Sequence, residues 1–368
     1  MKKLISILVV SLIVLTVLVA ACATPEPSPS PSPSPSPSPS PSPSPSPSPT
    51  PPPAEEVYEL IMQTSYPTGL TTWMFDEYLG PELDIMSNGR IKLTTYADGV
   101  LVPTEEYLDA LREGAIDMAV TCGVYYADVM PVGNCVYMPF SRENGDDVEQ
   151  VYYTLGFADV LNEGYEEQGA HFITYTMNAP YEILTVEPVK TLADLKKMKI
   201  RCIGSMAPMF AELGVSTMYL PGSELYTSMQ TGIIDGVLYG GAGDYNDAGF
   251  LEVAKYILKP AVVNPCTDDF LIRSDLWNSM PDDIKLILTN GMKANARVAY
   301  AKYQYDEVAV LAEAQETMGV EVSYLSAEDQ KTIRAAAARS WEEFAAQSEL
   351  AAEGVQIWKD WLVMTGRM

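Results

Sequence analysis

Two stretches of this 368-residue chain carry the same pattern, and a chain built around that pattern has few folds open to it. "PTEEYLDALREGAIDMAV" begins at Pro103, and "PGSELYTSMQTGIIDGVL" begins at Pro221. In each, the proline is followed at equal spacing by Glu (Glu106, Glu224), Gly (Gly114, Gly232), Ile (Ile116, Ile234) and Asp (Asp117, Asp235). Each reads as a short helix with Thr104 or Ser223 as candidate N-cap, a glycine at its end and a strand after it. A helix that feeds a strand twice at one spacing predicts two similar α/β lobes.

The neighbouring segments extend that reading. "EVYELIMQT" has the period of a strand, Thr72 to Met86 is amphipathic and closed by Gly89, and "RIKLTTYADG" is a second strand. A β-α-β start favours a parallel sheet with helices on its faces. "GAHFITYTMN" and "YEILTV" read as strands and "TLADLKKM" as a helix. After Pro281 the pattern turns helical, with a second long helix opening at Ser326, and a tail of that length can brace both lobes.

The amino terminus does not belong to this body. Lys2 and Lys3 precede an apolar run from Leu4 to Val19, which meets Ala20, Ala21 and Cys22. That order reads as a signal peptide over residues 1–22 ending in a bacterial lipobox, with Cys22 as the lipidated residue, rather than as a plain membrane anchor or an ordinary secretory signal. Residues 23–54 form a linker that is almost pure Pro-Ser repeat from Pro25 to Pro53. It holds no apolar side chains to bury, so an extended polyproline-II-like spacer reaching on the order of 90 Å is expected. The globular domain then occupies residues 55–368.

Charge and composition exclude more than they assign. With 23 Lys and Arg against 49 Asp and Glu, the net charge of −26 argues against nucleic acid or an anionic membrane as partner. The sole histidine, His171, opens an apolar strand and reads as structural, so no multi-histidine zinc site can be built. No GxSxG elbow and no GxxxxGK[ST] loop occurs. "YGGAGD" follows a strand but lacks the spacing and the helix of a dinucleotide site, and reads as a tight loop. No cofactor is expected, and an enzyme is disfavoured. Cys122, Cys135, Cys202 and Cys266 have no CxxC spacing; disulfides and buried free thiols both remain open for them.

One residue stands apart. In "KMKIRCIGS" the strand opening at Met198 carries Arg201 close to its end, where Gly204 and Ser205 lead into a helix. In open α/β sheets ligands bind beyond the carboxyl ends of strands, and an arginine there can offer its planar fork to a carboxylate.

The stretch "TLADLKKMKIRCIG…ELGVSTMYLPGSELYTSMQTGIIDG" is similar to the signature of substrate-binding proteins of TRAP (tripartite ATP-independent periplasmic) transporters, and the resemblance runs from Glu56 to about Trp361. "LVPTEEYLDALREGAIDM", "YNDAGFLEVAKYILKP" and "LWNSMPDD" further resemble the branch that binds small 2-oxo and 2-hydroxy acids. The resemblance implies an α/β, two-lobed, periplasmic-binding-protein-like fold with a hinged cleft and long C-terminal helices. It implies an extracytoplasmic, lipid-anchored receptor, not an enzyme, that hands a small organic acid to membrane permease subunits. Rival readings are a receptor for a sensor or chemoreceptor system and a surface enzyme on the same scaffold. Arg201 falls on the family's carboxylate-binding arginine, and Tyr125 and Tyr126 on an aromatic pair lining the cleft. Glu182 stands where the branch has a ligand-contacting glutamine, Leu238 and Tyr239 where it has a Glu-Trp metal and ligand pair, and Asn264 where it has a later metal-binding glutamate. Losing two carboxylates together implies no metal ion. The C-terminal helices could pack within the monomer or across a homodimer.

Overall fold

The period-two stretch that opens the globular region is strand β1 (Tyr58–Thr64), in a computed structural model that describes residues 56–368. The lipobox with Cys22 and the Pro-Ser stretch lie outside the described residues. A continuous helical stretch, Thr68 to Met86, follows β1 and returns the chain through Gly89 (φ 84°) to β2 (Ile91–Tyr96). β2 pairs with β1 in parallel, as a β-α-β unit requires.

The two echoing segments then land in matching places. From Pro103 a single 3₁₀ turn leads into the helix Tyr107–Glu113, Gly114 (φ 73°) ends it, and β3 (Met118–Thr121) enters the centre of the first sheet. From Pro221 a 3₁₀ turn leads into the helix Leu225–Gln230, Gly232 (φ 72°) follows, and β8 (Gly236–Leu238) enters the centre of the second. The 3₁₀ turns displace the expected caps: Thr104 lies inside its turn and its hydroxyl donates to Asp98 (2.7 Å), while no side chain caps the second helix.

Between and after these units run β4 (Ala170–Met177), β5 (Tyr181–Thr185), β6 (Lys199–Arg201), β7 (Ser216–Met218), β9 (Tyr256–Val263), β10 (Thr267–Arg273) and β11 (Glu321–Tyr324). The first lobe is a five-stranded sheet ordered β2-β1-β3-β10-β4, and the second a six-stranded sheet ordered β11-β9-β5-β8-β6-β7. β4 and β10 of the first sheet pass directly into β5 and β9 of the second, so two antiparallel crossovers join the lobes. The crossovers bond to each other, Asn178 N to Cys266 O at 2.9 Å and Cys266 N to Ala179 O at 3.2 Å.

Both sheets are covered on two faces. Along β3, Met118 and Val120 join a cluster with Phe75, Leu83 and Ile284, while Ala119 joins the opposite cluster with Tyr107 and Tyr165. In the second lobe Leu184, Val237 and Ile257 pack on Leu225, Tyr245 and Phe250. The long helix Asp282–Thr317, 36 residues, packs Ile284, Leu288 and Met292 into the first lobe and Ala314 into the core of the second. At about 1.5 Å per residue it spans roughly 54 Å, and so braces both. Two further helices, Ala327–Ala345 and Glu349–Met364, are capped by Ser326 and Ser348, whose hydroxyls accept the Asp329 and Ala351 amides at 3.1 Å each. No described helix is long and apolar enough to cross a membrane. Cys122, Cys135, Cys202 and Cys266 are free and buried.

Candidate functional site

A cavity of about 720 Å³ opens beside the crossovers. The first lobe contributes Tyr66, Tyr125, Tyr137 and Asp268, the crossovers Asn178, Ala179 and Cys266, the second lobe Tyr181, Tyr239 and Asp244, and the long helix Lys302, Tyr303 and Asp306. A second pocket, under Phe140, Met209 and Leu258, has only about 30 Å³ and holds no more than a water or two.

Arg201 ends β6, an interior strand paired in parallel with β7 and β8. It is 4% exposed. Its Nε donates to Leu220 O at 3.0 Å and its Nη1 to Leu238 O at 3.2 Å, which fixes the guanidinium plane. Tyr219 and Tyr239 flank it with ring centroids 5.3 and 5.5 Å from Cζ, and Tyr239 also lines the cavity. A guanidinium carries five N–H donors, so three remain after the two carbonyl bonds. No carboxylate lies within ion-pair distance of it among the described residues. A buried cation without an anion is costly; this one sits just beneath the cavity wall. Its charge is felt by the hydroxyls of three lining residues, lowering the proton affinity of Tyr125, Tyr181 and Tyr239 against the dominant upward effect of burial.

The opposite wall is acidic. Asp268 in β10 is buried and accepts from Tyr66 Oη at 2.6 Å and Asn178 Nδ2 at 2.7 Å through Oδ2, and from Tyr137 Oη at 3.1 Å through Oδ1. Burial raises its pKa, and these three donors oppose the rise. Asp244 opens the helix Ala242–Asp247 and accepts the Gly241 amide at 3.1 Å. Burial pushes its pKa up to about 6, with the charges of Asp247, Glu307 and Asp306 adding to the rise. Lys302 pairs with Asp306 and lies 5.5 Å from the centre of the Trp73 ring. No group of three or more His, Cys, Asp or Glu among the described residues is placed to hold a metal ion.

The structure brings together Tyr125, Tyr239 and, behind them, Arg201. It does not bring Tyr126, Glu182 or Asn264 to the cavity. Tyr126 points into the first lobe, where its hydroxyl bonds Thr121 (2.9 Å) and the Thr104 carbonyl (2.9 Å). Glu182 is 2% exposed and pairs with Lys259 at 2.8 Å, a lysine that also holds Glu307 at 2.9 Å. Asn264 donates to Glu143 O at 2.9 Å. "YGGAGD" is more than a tight loop: it opens the helix Ala242–Asp247, whose first amide is held by Glu307 Oε2 at 2.7 Å. His171 lies away from the cavity, stacked 4.5 Å from Trp277 and bonded to Glu166 at 2.6 Å. Sequence reasoning missed Asp268 and Asp244. The signal for the first was present: "TDD" interrupts an otherwise apolar strand with two acids.

Comparison with known proteins gives a consistent picture. A family model described as bacterial extracellular solute-binding protein, family 7, matches residues 68–348. A monocarboxylate 2-oxoacid-binding periplasmic protein of Nostoc is 28% identical over 64% of this chain and 65% of its own length, so the match spans less than two thirds of that relative. A TRAP periplasmic solute-binding protein of Roseobacter denitrificans with bound β-D-glucuronate shares the fold at TM-score 0.72, with 20% identity, covering 82% of this chain and 99% of that one. One of Chromohalobacter salexigens with bound (S)-(+)-2-amino-1-propanol also reaches TM-score 0.72, at 23% identity over 83% and 95%.

Proposed function

The chain belongs to the bacterial extracellular solute-binding proteins of family 7, the DctP family of TRAP transporter receptors, and on that premise we propose that it binds a small organic acid in the cleft between its lobes and delivers it to membrane permease subunits. The family and the fold are those of receptors rather than enzymes. Arg201 clamps the carboxylate through the N–H donors left free by Leu220 and Leu238, Tyr239 and Tyr125 pack against the bound acid, and rotation about the crossovers buries it. Lipidation of Cys22 anchors the receptor and the Pro-Ser spacer holds it off the membrane.

The observation that carries this reading is the uncompensated buried charge of Arg201 beside a 720 Å³ cavity. The Nostoc relative, whose name assigns it monocarboxylate 2-oxo acids, supports the substrate class. The test is a thermal-shift screen of ligand-stripped protein against mono- and dicarboxylates, oxo acids, hydroxy acids, amino acids and uncharged sugars. A ligand at a hundred times its Kd adds about 2.7 kcal/mol of stability. Shifts confined to carboxylates and abolished by Arg201→Ala are expected; shifts that survive the substitution would remove Arg201 from the site.

A further inference from the structure

We propose that the acid bound in this cleft also carries a protonated amine, as an amino acid or related zwitterion does, and that Asp268 receives it. This rests on the reading above, in which Arg201 takes the carboxylate, and adds what the ligand must bring at its other end.

The argument begins with Asp268 as the counterpart of Arg201. Each is a buried charge without an opposite charge, Asp268 in the cavity lining and Arg201 behind the lining residue Tyr239: Asp268 is 5% exposed, and no lysine or arginine among the described residues reaches it. Its neighbours favour the anion, against the upward pull of burial. Two tyrosine hydroxyls and an asparagine amide all donate to it, three bonds into a group that has room for four when ionised. The vacant acceptor direction belongs to Oδ1, which holds only the 3.1 Å bond from Tyr137. Tyr66, Tyr137 and Asn178 all line the cavity, so the carboxylate sits in a collar of fixed donors at its wall.

The field of the whole cleft favours the same chemistry. Four carboxylates line it, Asp244, Asp247, Asp268 and Asp306, against one lysine, Lys302, which Asp306 already engages. A second carboxylate on the ligand would meet this wall and be repelled. A hydroxy or oxo acid would neutralise Arg201 and leave Asp268 unanswered. A zwitterion answers both. The two charges share a neighbour on the cavity wall: the hydroxyl of Tyr125 feels Asp268 raising its proton affinity and Arg201 lowering it. Tyrosine rings around Asp268 add faces on which an ammonium is favoured.

Isothermal titration in EDTA would compare matched trios in the unmodified protein: leucine, 2-hydroxy-4-methylpentanoate and 4-methyl-2-oxopentanoate, then glutamate, 2-hydroxyglutarate and 2-oxoglutarate, then 4-aminobutyrate against butyrate. In at least one trio or pair the amine should bind roughly tenfold or more tighter than its partners, and Asp268→Asn should erase that margin while sparing the partners. The comparison in unmodified protein decides the matter even where the variant folds poorly. An oxo or hydroxy acid that binds as well as its amine, or no amine binding at all, overturns the proposal. So does oxo-acid binding restored by adding Ca²⁺, because the acidic wall would then hold a cation instead. Arg201→Ala separates the two levels. Loss of all binding with oxo acids preferred sinks this inference and keeps the receptor, whereas binding untouched by Arg201→Ala sinks the clamp and this inference together.

Discussion

Asp235 does in the second lobe what Asp117 does in the first. Asp117 Oδ2 accepts the amide of Ile61 in β1 at 2.9 Å, and its own amide donates to the Ile61 carbonyl at 2.9 Å. Asp235 Oδ2 accepts the amide of Lys199 in β6 at 2.7 Å, and its amide donates to the Lys199 carbonyl at 2.9 Å. Each thus pins the strand beside it at the point where the chain leaves helix for sheet. In the second lobe the pinned strand is the one that carries Arg201 two residues on.

Removing either carboxylate leaves a strand amide without its acceptor. Hydrogen bonds to charged groups contribute about 1.5–3 kcal/mol, so Asp117→Ala and Asp235→Ala should each lower unfolding free energy by an amount of that order in urea titrations. Asp235→Ala should also weaken ligand binding, since it loosens the strand beneath Arg201. Asp117→Ala should leave affinity near normal. Equal effects of the two on affinity would break the link between the strand and the site.

Buried acids shape the pH dependence of stability, Asp269 and Glu182 foremost. Asp269 is fully buried, with Oδ2 accepting from Tyr165 Oη at 2.6 Å and Oδ1 without a partner. Burial pushes its pKa up to about 8. Glu182 is raised as well, by burial first and then by Glu307, with which it shares Lys259. Between about pH 4 and pH 8 the folded protein keeps a proton on Asp269 that the unfolded chain has released, so stability falls as pH rises through that window. The contribution is at most ~1.4 kcal/mol per pH unit for one group. Thermal unfolding measured from pH 5 to 8 should slope downward for the unmodified protein and less steeply for Asp269→Asn, in which Glu182 still contributes. A slope unchanged in Asp269→Asn would mean that this carboxyl is ionised in the fold.

The echo at Pro103 and Pro221 made the two lobes legible, because its period of helix, glycine and strand is a local pattern that tertiary packing did not override. Arg201 was legible for a similar reason: an arginine near the end of an apolar strand is conspicuous wherever the strand goes. At the cavity, neighbours one residue apart part ways. Tyr125 and Tyr126 lie in a 3₁₀ turn, Gly123–Tyr126, where successive side chains diverge by about 120°, so one faces the cleft and the other the core. Tyr181 and Glu182 begin β5, where successive side chains take opposite faces; Tyr181 lines the cavity and Glu182 turns to Lys259. The same alternation sends Asp268 to the cleft and Asp269 inward to Tyr165. Composition marks both acids as unusual, but only the sheet's position decides which one lines the cavity.

The glycine pair in "YGGAGD" is held to glycine by space. A Cβ on Gly241 would lie 2.5 Å from Glu307 Oε2 and 3.0 Å from Pro180 Cδ. Glu307 is the residue that holds the Ala242 amide and shares Lys259 with Glu182, and Pro180 belongs to a crossover, so Gly241→Ala presses on the hinge from both sides. Forcing a methyl into a packed site costs about 1–3 kcal/mol, and Glu307→Ala alone leaves the Ala242 amide unheld at a cost of similar order. In the double variant the methyl finds the room that the glutamate vacated, so the two losses should sum to more than the loss measured for both together, a coupling of 0.5 kcal/mol or more by analogy with other contacting pairs. Urea midpoints of the four proteins give the coupling directly. Strictly additive losses would place the strain of Gly241→Ala against the crossover at Pro180 and free Glu307 from any part in it.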